Sequence, residues 1–157
     1  MSAAHSNTTA GWREWVSLPG IGVPWVKAKV DTGARTSAIH AFDIEPFERD
    51  GEPWVRYSVH PWQRSGEDAV TAESKVLDRR TVRSSSGHSE ERYVVHMDVS
   101  LVGRTVTAEM TLSRRDEMGF RMLIGREALR RHFVVDPGRS YLGGRPKVAT
   151  RRQNRGR

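Results

Sequence analysis

A carboxylate, a hydroxyl and a glycine follow one another at residues 31–33, directly after the strand-like run Trp25–Val30. The carboxylate of Asp31 can hold a water molecule, and the hydroxyl of Thr32 can bond across to a second copy of the same loop. Gly33 has no Cβ, so two such loops can approach each other closely. These residue types at a strand end therefore suit hydrolysis by a carboxylate-bound water.

A single carboxylate cannot carry this chemistry, because one group must act as base toward the water and another as acid toward the substrate carbonyl. None of the other aspartates is followed by Thr-Gly. The second carboxylate must therefore come from a second subunit, and a two-fold homodimer would place Asp31 against its symmetry mate. We expect Trp12–Leu18 and Phe133–Leu142 to be the interface strands. The alternative is that residues 31–33 form an ordinary polar turn.

A second signal lies far downstream of the first. Met122–Gly125 is an apolar run closed by a glycine, and it leads into the helix-like segment Arg126–Arg131. Gly125 would allow the backbone to pass closely, and a plain helix-start glycine is the alternative. The agreement of two separate signals favours a catalytic loop over a chance turn.

Arginines and small polar residues cluster between residues 79 and 92. Ser84–His88 has the small residues typical of a mobile flap, and the surrounding cations and hydroxyls suit an acidic, extended substrate. The alternative is a polar surface hairpin whose cations pair with Glu90 and Glu91. Arg35 could clamp a substrate carboxylate in a bidentate pair, or it could point into solvent. The candidate substrate-binding residues are Arg35, Arg83, Ser85, His88, Arg92 and Arg126.

Three segments, taken together, resemble one bacterial family. Lys29–Ala41, Arg83–Arg92 and Met122–Leu129 are similar to the RimB-like, retropepsin-like aspartic peptidases, formerly labelled ATP-dependent zinc proteases. The resemblance covers residues 12–144. It implies a retropepsin-like closed β-barrel, Asp31-Thr32-Gly33 as the catalytic residues, and a functional link to ATP-grasp glutamate ligases of the RimK type. A protein with a poly-glutamate tail is then a candidate substrate.

Neither half of the older family label finds support in the sequence. The six histidines form no His-x-x-x-His or His-Glu-x-x-His pair of the kind that binds zinc. No Gly-x4-Gly-Lys-Ser/Thr phosphate-binding loop is present. We therefore expect no metal and no cofactor, and any nucleotide dependence would belong to a partner ligase.

The elements around these motifs are mostly strands. Apolar residues alternate with polar ones along Trp25–Val30, again at Val55–Val59, and most clearly along Tyr93–Leu101 and Val106–Leu112, which predict a long hairpin. Asp136–Arg139 predicts a type II turn. Only residues 126–132 are typical of a helix. The sequence thus predicts a mostly-β fold, a small closed barrel with one short C-terminal helix.

Composition restricts the class of protein further. The chain has 157 residues and no cysteine, which excludes disulfides, thiolate nucleophiles and Cys-ligated zinc. The N-terminus lacks the basic and apolar stretches of a secretory signal, and no run is long enough to span a membrane. We therefore expect a soluble, cytoplasmic protein that has one domain.

The net charge of +7 comes almost entirely from the C-terminal tail. Residues 145–157 hold six of the 26 basic side chains and none of the 19 acidic ones, so the rest of the chain is nearly neutral. We expect residues 1–11 to be a disordered lead, residues 12–144 the peptidase domain, and residues 145–157 a disordered basic tail. Nonspecific attraction of this tail to nucleic acid is a weaker alternative.

These observations predict a homodimeric aspartic peptidase that hydrolyses amide bonds, with a glutamyl amide in an acidic tail as the candidate bond. One alternative is a module that binds acidic peptides without cutting them and assists an ATP-grasp glutamate ligase. A metal hydrolase is a further alternative.

Overall fold

Strands make up most of the structure, a computed structural model that describes residues 7–61, 69–83, 87–114 and 120–153. The predicted mostly-β fold is confirmed, with two short helices in place of the one expected. The strands are β1 (Thr8–Gly11), β2 (Arg13–Leu18), β3 (Val23–Val30), β4 (Ser37–His40), β5 (Phe42–Arg49), β6 (Glu52–Val59), β7 (Val70–Lys75), β8 (Asp78–Arg83), β9 (Ser89–Leu101), β10 (Arg104–Ser113), β11 (Met122–Ile124) and β12 (Phe133–Asp136); the helices are α1 (Arg126–Leu129) and α2 (Val148–Gln153).

The largest sheet closes on itself as a ring. Its strand order is β10, β4, β11, β3, β2 and β9, and β9 pairs with β10 to complete the circuit. The β2–β9 side is joined at Ser17 and Ser100, and β8 extends the sheet outward from β9. This ring-like sheet fits the predicted retropepsin-like barrel and encloses the main core.

The period-two patterns in the sequence correctly identify the faces that are buried. In β3, the side chains of Val26, Ala28 and Val30 are buried while the lysines between them are partly exposed. The β9–β10 hairpin turns at Val102 and Gly103, whose φ angles of 49° and 74° belong to the tight turn that matches strand twist. The inward-facing residues of this hairpin are Val95, Met97, Val99, Leu101, Ala108, Met110 and Leu112.

A separate three-stranded sheet, formed by β5, β6 and β7, lies in the chain between β4 and β8. The predicted inward face of β6, Val55, Tyr57 and Val59, is buried. The phenol of Tyr57 satisfies its polar end by a 2.9 Å hydrogen bond with the Ser74 hydroxyl. In the order of the chain, this sheet lies between the Asp31 loop and the predicted flap segment.

The chain ends contain more regular structure than predicted. Residues 1–11 were expected to be disordered, but Thr8–Gly11 forms a strand parallel to Phe133–Asp136. Within the predicted disordered tail, Val148–Gln153 forms a helix. Thr8–Gly11 is a strand because it pairs with a strand about 125 residues away, which a local sequence pattern cannot reveal. No helix in the described ranges has the length and apolar character needed to cross a bilayer.

Of two expectations about the predicted interface segments, one stays a prediction and one is wrong. β2 lies in the ring between β3 and β9, but its pairing with β9 in the described residues is limited to Ser17 and Ser100, so its place at an interface stays a prediction. The turn after β12 is not type II, since Gly138 does not have the positive φ which that turn requires. Its backbone N–H instead donates to the Asp136 carboxylate at 2.9 Å.

Candidate active site

The loop that follows β3 is a tight turn with one anchored carboxylate. The backbone N–H of Asp31 donates to the Ile124 carbonyl at 2.9 Å, and the Ala34 N–H closes the turn on the Asp31 carbonyl at 3.2 Å. The carboxylate oxygen Oδ1 of Asp31 accepts a 2.9 Å hydrogen bond from the Gly33 N–H. The second oxygen, Oδ2, accepts no hydrogen bond from the residues that the structure describes. One acceptor oxygen on a half-exposed side chain therefore remains for water or for a second carboxyl.

The segment that joins β11 to α1 crosses beside this loop, as the two sequence signals predicted. The Arg126 N–H donates to the Ala34 carbonyl at 2.8 Å, and the Glu127 N–H donates to the Arg35 carbonyl at 3.1 Å. These bonds use N–H groups at the start of α1 that have no partner within the helix. The Asp31 loop is therefore held by backbone bonds to a segment more than 90 residues away.

Gly125 is required at this crossing for a steric reason. A Cβ added to it would overlap the Thr36 carbonyl and lie 2.9 Å from the Ala34 carbonyl oxygen. Its φ of −89° is open to any residue, so the constraint is the close passage of the two backbones. Its N–H donates to the Ser37 hydroxyl at 3.0 Å. The close-passage interpretation of Gly125 is thus confirmed over the plain helix-start glycine.

Thr32 and Gly33 lie at the exposed tip of the loop. Among the described residues, a Cβ at Gly33 would meet only the Asp31 carboxylate oxygen, at 3.1 Å, so no other described group lies close to this glycine. The Thr32 hydroxyl makes no hydrogen bond within the described part of the chain. A bond from Thr32 across to a second copy of the loop therefore stays a prediction.

Arginines flank the loop on the side of α1. The Nε of Arg35 donates to the Glu127 carboxylate at 2.9 Å, and the Nη1 of Arg126 donates to the Gly33 carbonyl at 3.3 Å. The hydrogen bond from Arg35 lowers the pKa of Glu127, and the positive charges of Arg130 and Arg80 act in the same direction. Arg35 is thus paired in the single chain, and its guanidinium remains largely exposed.

The strands on either side of the predicted flap segment, β8 and β9, pair antiparallel up to Arg83 and Ser89. Ser85 and the side chain of Arg83 lie outside the described residues. His88 is exposed, whereas the Arg92 side chain is mostly buried and lies 3.5 Å from the Glu90 carboxylate. Among the described residues, no hydrogen bond or ion pair joins His88 or Arg92 to the Asp31 loop.

The ion pairs of β8 and β9 among the described residues agree with the alternative, a polar surface hairpin whose cations pair with Glu90 and Glu91. The Arg79 guanidinium lies 3.1 Å from the Glu91 carboxylate, and Arg92 pairs with Glu90. Of the four residues predicted to bind substrate here, His88 is accessible and Arg92 is engaged in a local ion pair, while Ser85 and the Arg83 side chain are not described. Their contact with a substrate stays a prediction.

Sequence reasoning missed one charged residue beside the loop, Glu127, and it placed Arg80 only within the arginine cluster of residues 79–92. Arg80 of β8 pairs with Asp78 and with Glu109 of β10, both at 3.1 Å. Glu127 and Glu109 line a polar cavity of about 160 Å³ together with Thr36, Ser37 and Thr107. An acidic residue inside the arginine-rich segment 126–131 was visible in the sequence, but its pairing with Arg35 spans 92 residues.

The described residues contain no group of three or more histidine, cysteine, aspartate or glutamate side chains placed to hold a metal ion. What the arrangement offers is a fixed, half-exposed carboxylate with cations nearby.

Comparison with known proteins identifies the family. Residues 9–146 match the family model described as RimB-like, retropepsin-like aspartic endopeptidase RimB. The chain is 51% identical over 134 residues to a probable alpha-L-glutamate ligase of Shewanella pealeana, and 44% identical over 137 residues to one of Desulfotalea psychrophila. These matches cover 85% and 87% of the chain but only 29% and 30% of the relatives, so the chain spans less than a third of their length.

A crystal structure shows the same fold. A Legionella pneumophila protein of unknown function superposes with a TM-score of 0.72 at 24% identity, covering 88% of this chain and 99% of that one. The family predicted from the three sequence segments is confirmed by the match over residues 9–146. The chain belongs to the RimB-like family of retropepsin-like aspartic endopeptidases.

Proposed function

We propose that the chain is one half of a homodimeric aspartic peptidase whose active site is built from two Asp31 side chains. The observation that carries the proposal is the Asp31 carboxylate itself. It sits on a backbone-fixed loop, it is anchored through one oxygen, and its loop tip is exposed. Because a single carboxyl cannot be base and acid at once, a second copy must complete the site.

Two strands support the dimer. β1 and β12 pair with each other, and neither pairs with another strand in the described chain. An unpaired strand edge can add a further strand from a neighbouring chain. Val134 of β12 is 50% exposed, which is unusual for an apolar residue of this fold. A second copy that added its own strands here would cover this side chain.

In the mechanism, a water molecule lies between the two carboxyls, which share one proton. The ionised carboxylate takes a proton from the water as it attacks the substrate carbonyl, while the protonated one donates to the carbonyl oxygen. As the tetrahedral intermediate collapses, the carboxyl that took the proton from water gives it to the departing amine, and a hydroxyl of the intermediate returns its proton to the other carboxylate. No covalent enzyme intermediate forms, and water is the only co-reactant.

The proposed substrate is a protein or peptide with an acidic tail, and the proposed bond is a glutamyl amide. Arg35 and Arg126 lie directly beside the Asp31 loop and supply guanidinium groups that suit carboxylates. The names of the relatives point toward the same chemistry, since an alpha-L-glutamate ligase forms such bonds. A functional link of this peptidase to an ATP-grasp ligase is part of the proposal.

A mixing experiment tests the shared site. Wild-type chain is exchanged with increasing amounts of Asp31→Asn chain, and cleavage of an acidic-tail peptide is followed by mass spectrometry. Since both carboxyls must be present, an equal mixture should retain about a quarter of the activity of fully wild-type dimers. A loss in simple proportion to the wild-type fraction would mean that each chain works alone.

The matched control for mixing is Asp50→Asn, which makes the same chemical change on an exposed turn. Asp50 and Gly51 have φ angles of 53° and 77°, and this turn accepts Asn-Gly as readily as Asp-Gly. Mixing with this variant should leave activity unchanged.

A second candidate is a module that binds acidic peptides without cutting them. The observation in its favour is that the relatives are named for making a glutamyl bond and devote less than a third of their length to this domain. Incubation with a peptide labelled at both ends separates the two functions. Binding without any shortened product would support the module and contradict the peptidase.

A further inference from the structure

The Arg35–Glu127 ion pair lies beside the proposed catalytic loop, and both partners are accessible. The side chain of Arg35 is 74% exposed and that of Glu127 is 37% exposed, with 2.9 Å between Nε and Oε1. Only the Nε edge of the guanidinium is engaged. Elsewhere in the described chain, Arg35 has no other side-chain hydrogen bond or ion pair.

We propose that Glu127 is a specificity-determining residue that occupies Arg35 in the empty site and is displaced by a carboxylate of the substrate. The inference rests on the proposed function, because it assumes that acidic peptides approach the Asp31 loop. It adds to that function a built-in competitor, which lowers affinity for acidic substrates and leaves neutral ones unaffected.

Displacement is easy for two reasons. Ion pairs between exposed side chains are weak, since solvent screens both charges and two long side chains must be held in one geometry. An incoming carboxylate can also engage Nε together with one terminal nitrogen of the guanidinium in a bidentate pair, which takes the position of Glu127 and is stronger than the single bond from Nε. The exchange therefore replaces a weaker contact by a stronger one.

The displaced Glu127 carboxylate is not left without compensating charge. Arg130 and Arg80 also lower the pKa of Glu127, after the larger effect of Arg35, so both lie within electrostatic range. The backbone hydrogen bond from the Glu127 N–H to the Arg35 carbonyl does not involve either side chain and survives the exchange. The loop can therefore keep its position while the ion pair opens.

The test measures binding in the Asp31→Asn background, where peptides remain intact, using fluorescence anisotropy. The probes are a labelled tetraglutamate peptide and its tetraglutamine counterpart. Adding Glu127→Gln should tighten tetraglutamate binding about two- to fivefold, the range expected on removing a weak competing ion pair. Tetraglutamine binding should not change.

A matched control tests whether the loss of one negative charge elsewhere on the surface changes peptide affinity in the same way. Glu73 pairs with Arg49 at 2.6 Å with similar exposure, 38% against the 37% of Glu127, but belongs to the three-stranded sheet. Glu73→Gln should leave the affinity for both peptides unchanged. In an Arg35→Ala background, Glu127→Gln should lose its effect, because the two residues act as one unit.

Weaker or unchanged tetraglutamate binding by Glu127→Gln would overturn the inference, as would equal tightening of both peptides. Equal gains from Glu127→Gln and Glu73→Gln would also overturn it, since they would reflect net charge alone. Failure of the proposed function is a separate result, because it appears as intact peptide after incubation with wild-type chain.

Discussion

Two regions of the molecule join distant parts of the chain around a carboxylate, and they treat that carboxylate differently. In the terminal region, Glu14 of β2 is fully buried and accepts hydrogen bonds from the Gly11, Leu142 and Gly143 N–H groups at 2.7, 2.9 and 3.0 Å. In the loop after β3, Asp31 is half exposed and accepts one such bond, from Gly33. The two carboxylates therefore differ in the number of hydrogen-bond donors they meet and in their access to solvent.

The backbones of the two regions are built alike. Near Glu14, a Cβ on Gly11 would overlap the Arg139 carbonyl, just as one on Gly125 would overlap the Thr36 carbonyl. In both places a glycine lets two backbone segments pass in contact. Glu14 lies three residues from its glycine, Gly11, whereas Asp31 lies on the loop that Gly125 crosses. The crossing fixes the backbone in both regions, and of the two carboxylates only Asp31 has an oxygen that accepts no hydrogen bond from a described residue. Substitutions in either region test this difference between the two carboxylates.

The largest expected effect is on catalysis, from Asp31→Asn. The amide oxygen can still accept from the Gly33 N–H, but the group can no longer share or transfer a proton. Cleavage of an acidic-tail peptide should fall by about 10²–10⁴-fold or more. Because the side chain is half exposed, the free energy of unfolding should change by less than about 0.5 kcal/mol. Peptide mass spectrometry and chemical denaturation measure the two quantities, and normal cleavage would rule out the carboxylate mechanism.

The next largest effect is on the crossing itself, from Gly125→Ala. The added methyl meets backbone atoms of residues 34 and 36, which cannot move aside as a flexible side chain would. We expect a loss of about 3 kcal/mol of stability, at the upper end for overpacked sites, together with loss of activity. Gly20→Ala is the matched control, because a Cβ at Gly20 meets nothing within 4 Å. Similar denaturation midpoints for both variants would contradict the steric argument.

A smaller loss of stability is expected from Glu14→Gln, which changes the fully hydrogen-bonded carboxylate instead of Asp31. The amide keeps one acceptor oxygen, but its NH₂ group faces at least one backbone N–H that it cannot satisfy. Leaving a buried donor unpaired costs about 1–3 kcal/mol. Urea denaturation should show a lower midpoint with an unchanged slope, and cleavage activity per folded dimer should be preserved. A variant as stable as the wild type would mean that Glu14 does not hold the chain ends together.

How much of this could be predicted from sequence depends on the range of the interaction. The buried faces of β3 and β9 were predicted because apolar and polar residues alternate locally along each strand. The Asp31 and Gly125 segments were predicted because each carries a short motif. Thr8–Gly11 was missed because its small residues carry no period-two pattern and its partner is at residues 133–136. Glu14 was missed because an acid within a strand is usually solvent-facing, and its three donors come from elsewhere in the chain.

Glu127 extends the comparison to a third carboxylate, one whose partner is an exposed cation instead of backbone N–H groups. Its pKa is lowered mainly by the hydrogen bond from Arg35. The pair therefore forms fully above the ordinary pKa of glutamate and is lost as the pH falls through the lowered pKa of the folded state. Arg35→Ala should raise the pKa of Glu127 toward its ordinary value, as measured by NMR titration of the carboxyl carbon.

Arg126→Ala is the control for this smallest effect. It removes the same charge one residue away from Glu127, but the Arg126 side chain bonds the Gly33 carbonyl and is not among the groups that lower the pKa of Glu127. The Glu127 titration should therefore match that of the wild type in this variant. Equal shifts from Arg35→Ala and Arg126→Ala would show that Glu127 responds to the whole positive surface. In that case its carboxylate would have no specific partner, in contrast to both Glu14 and Asp31.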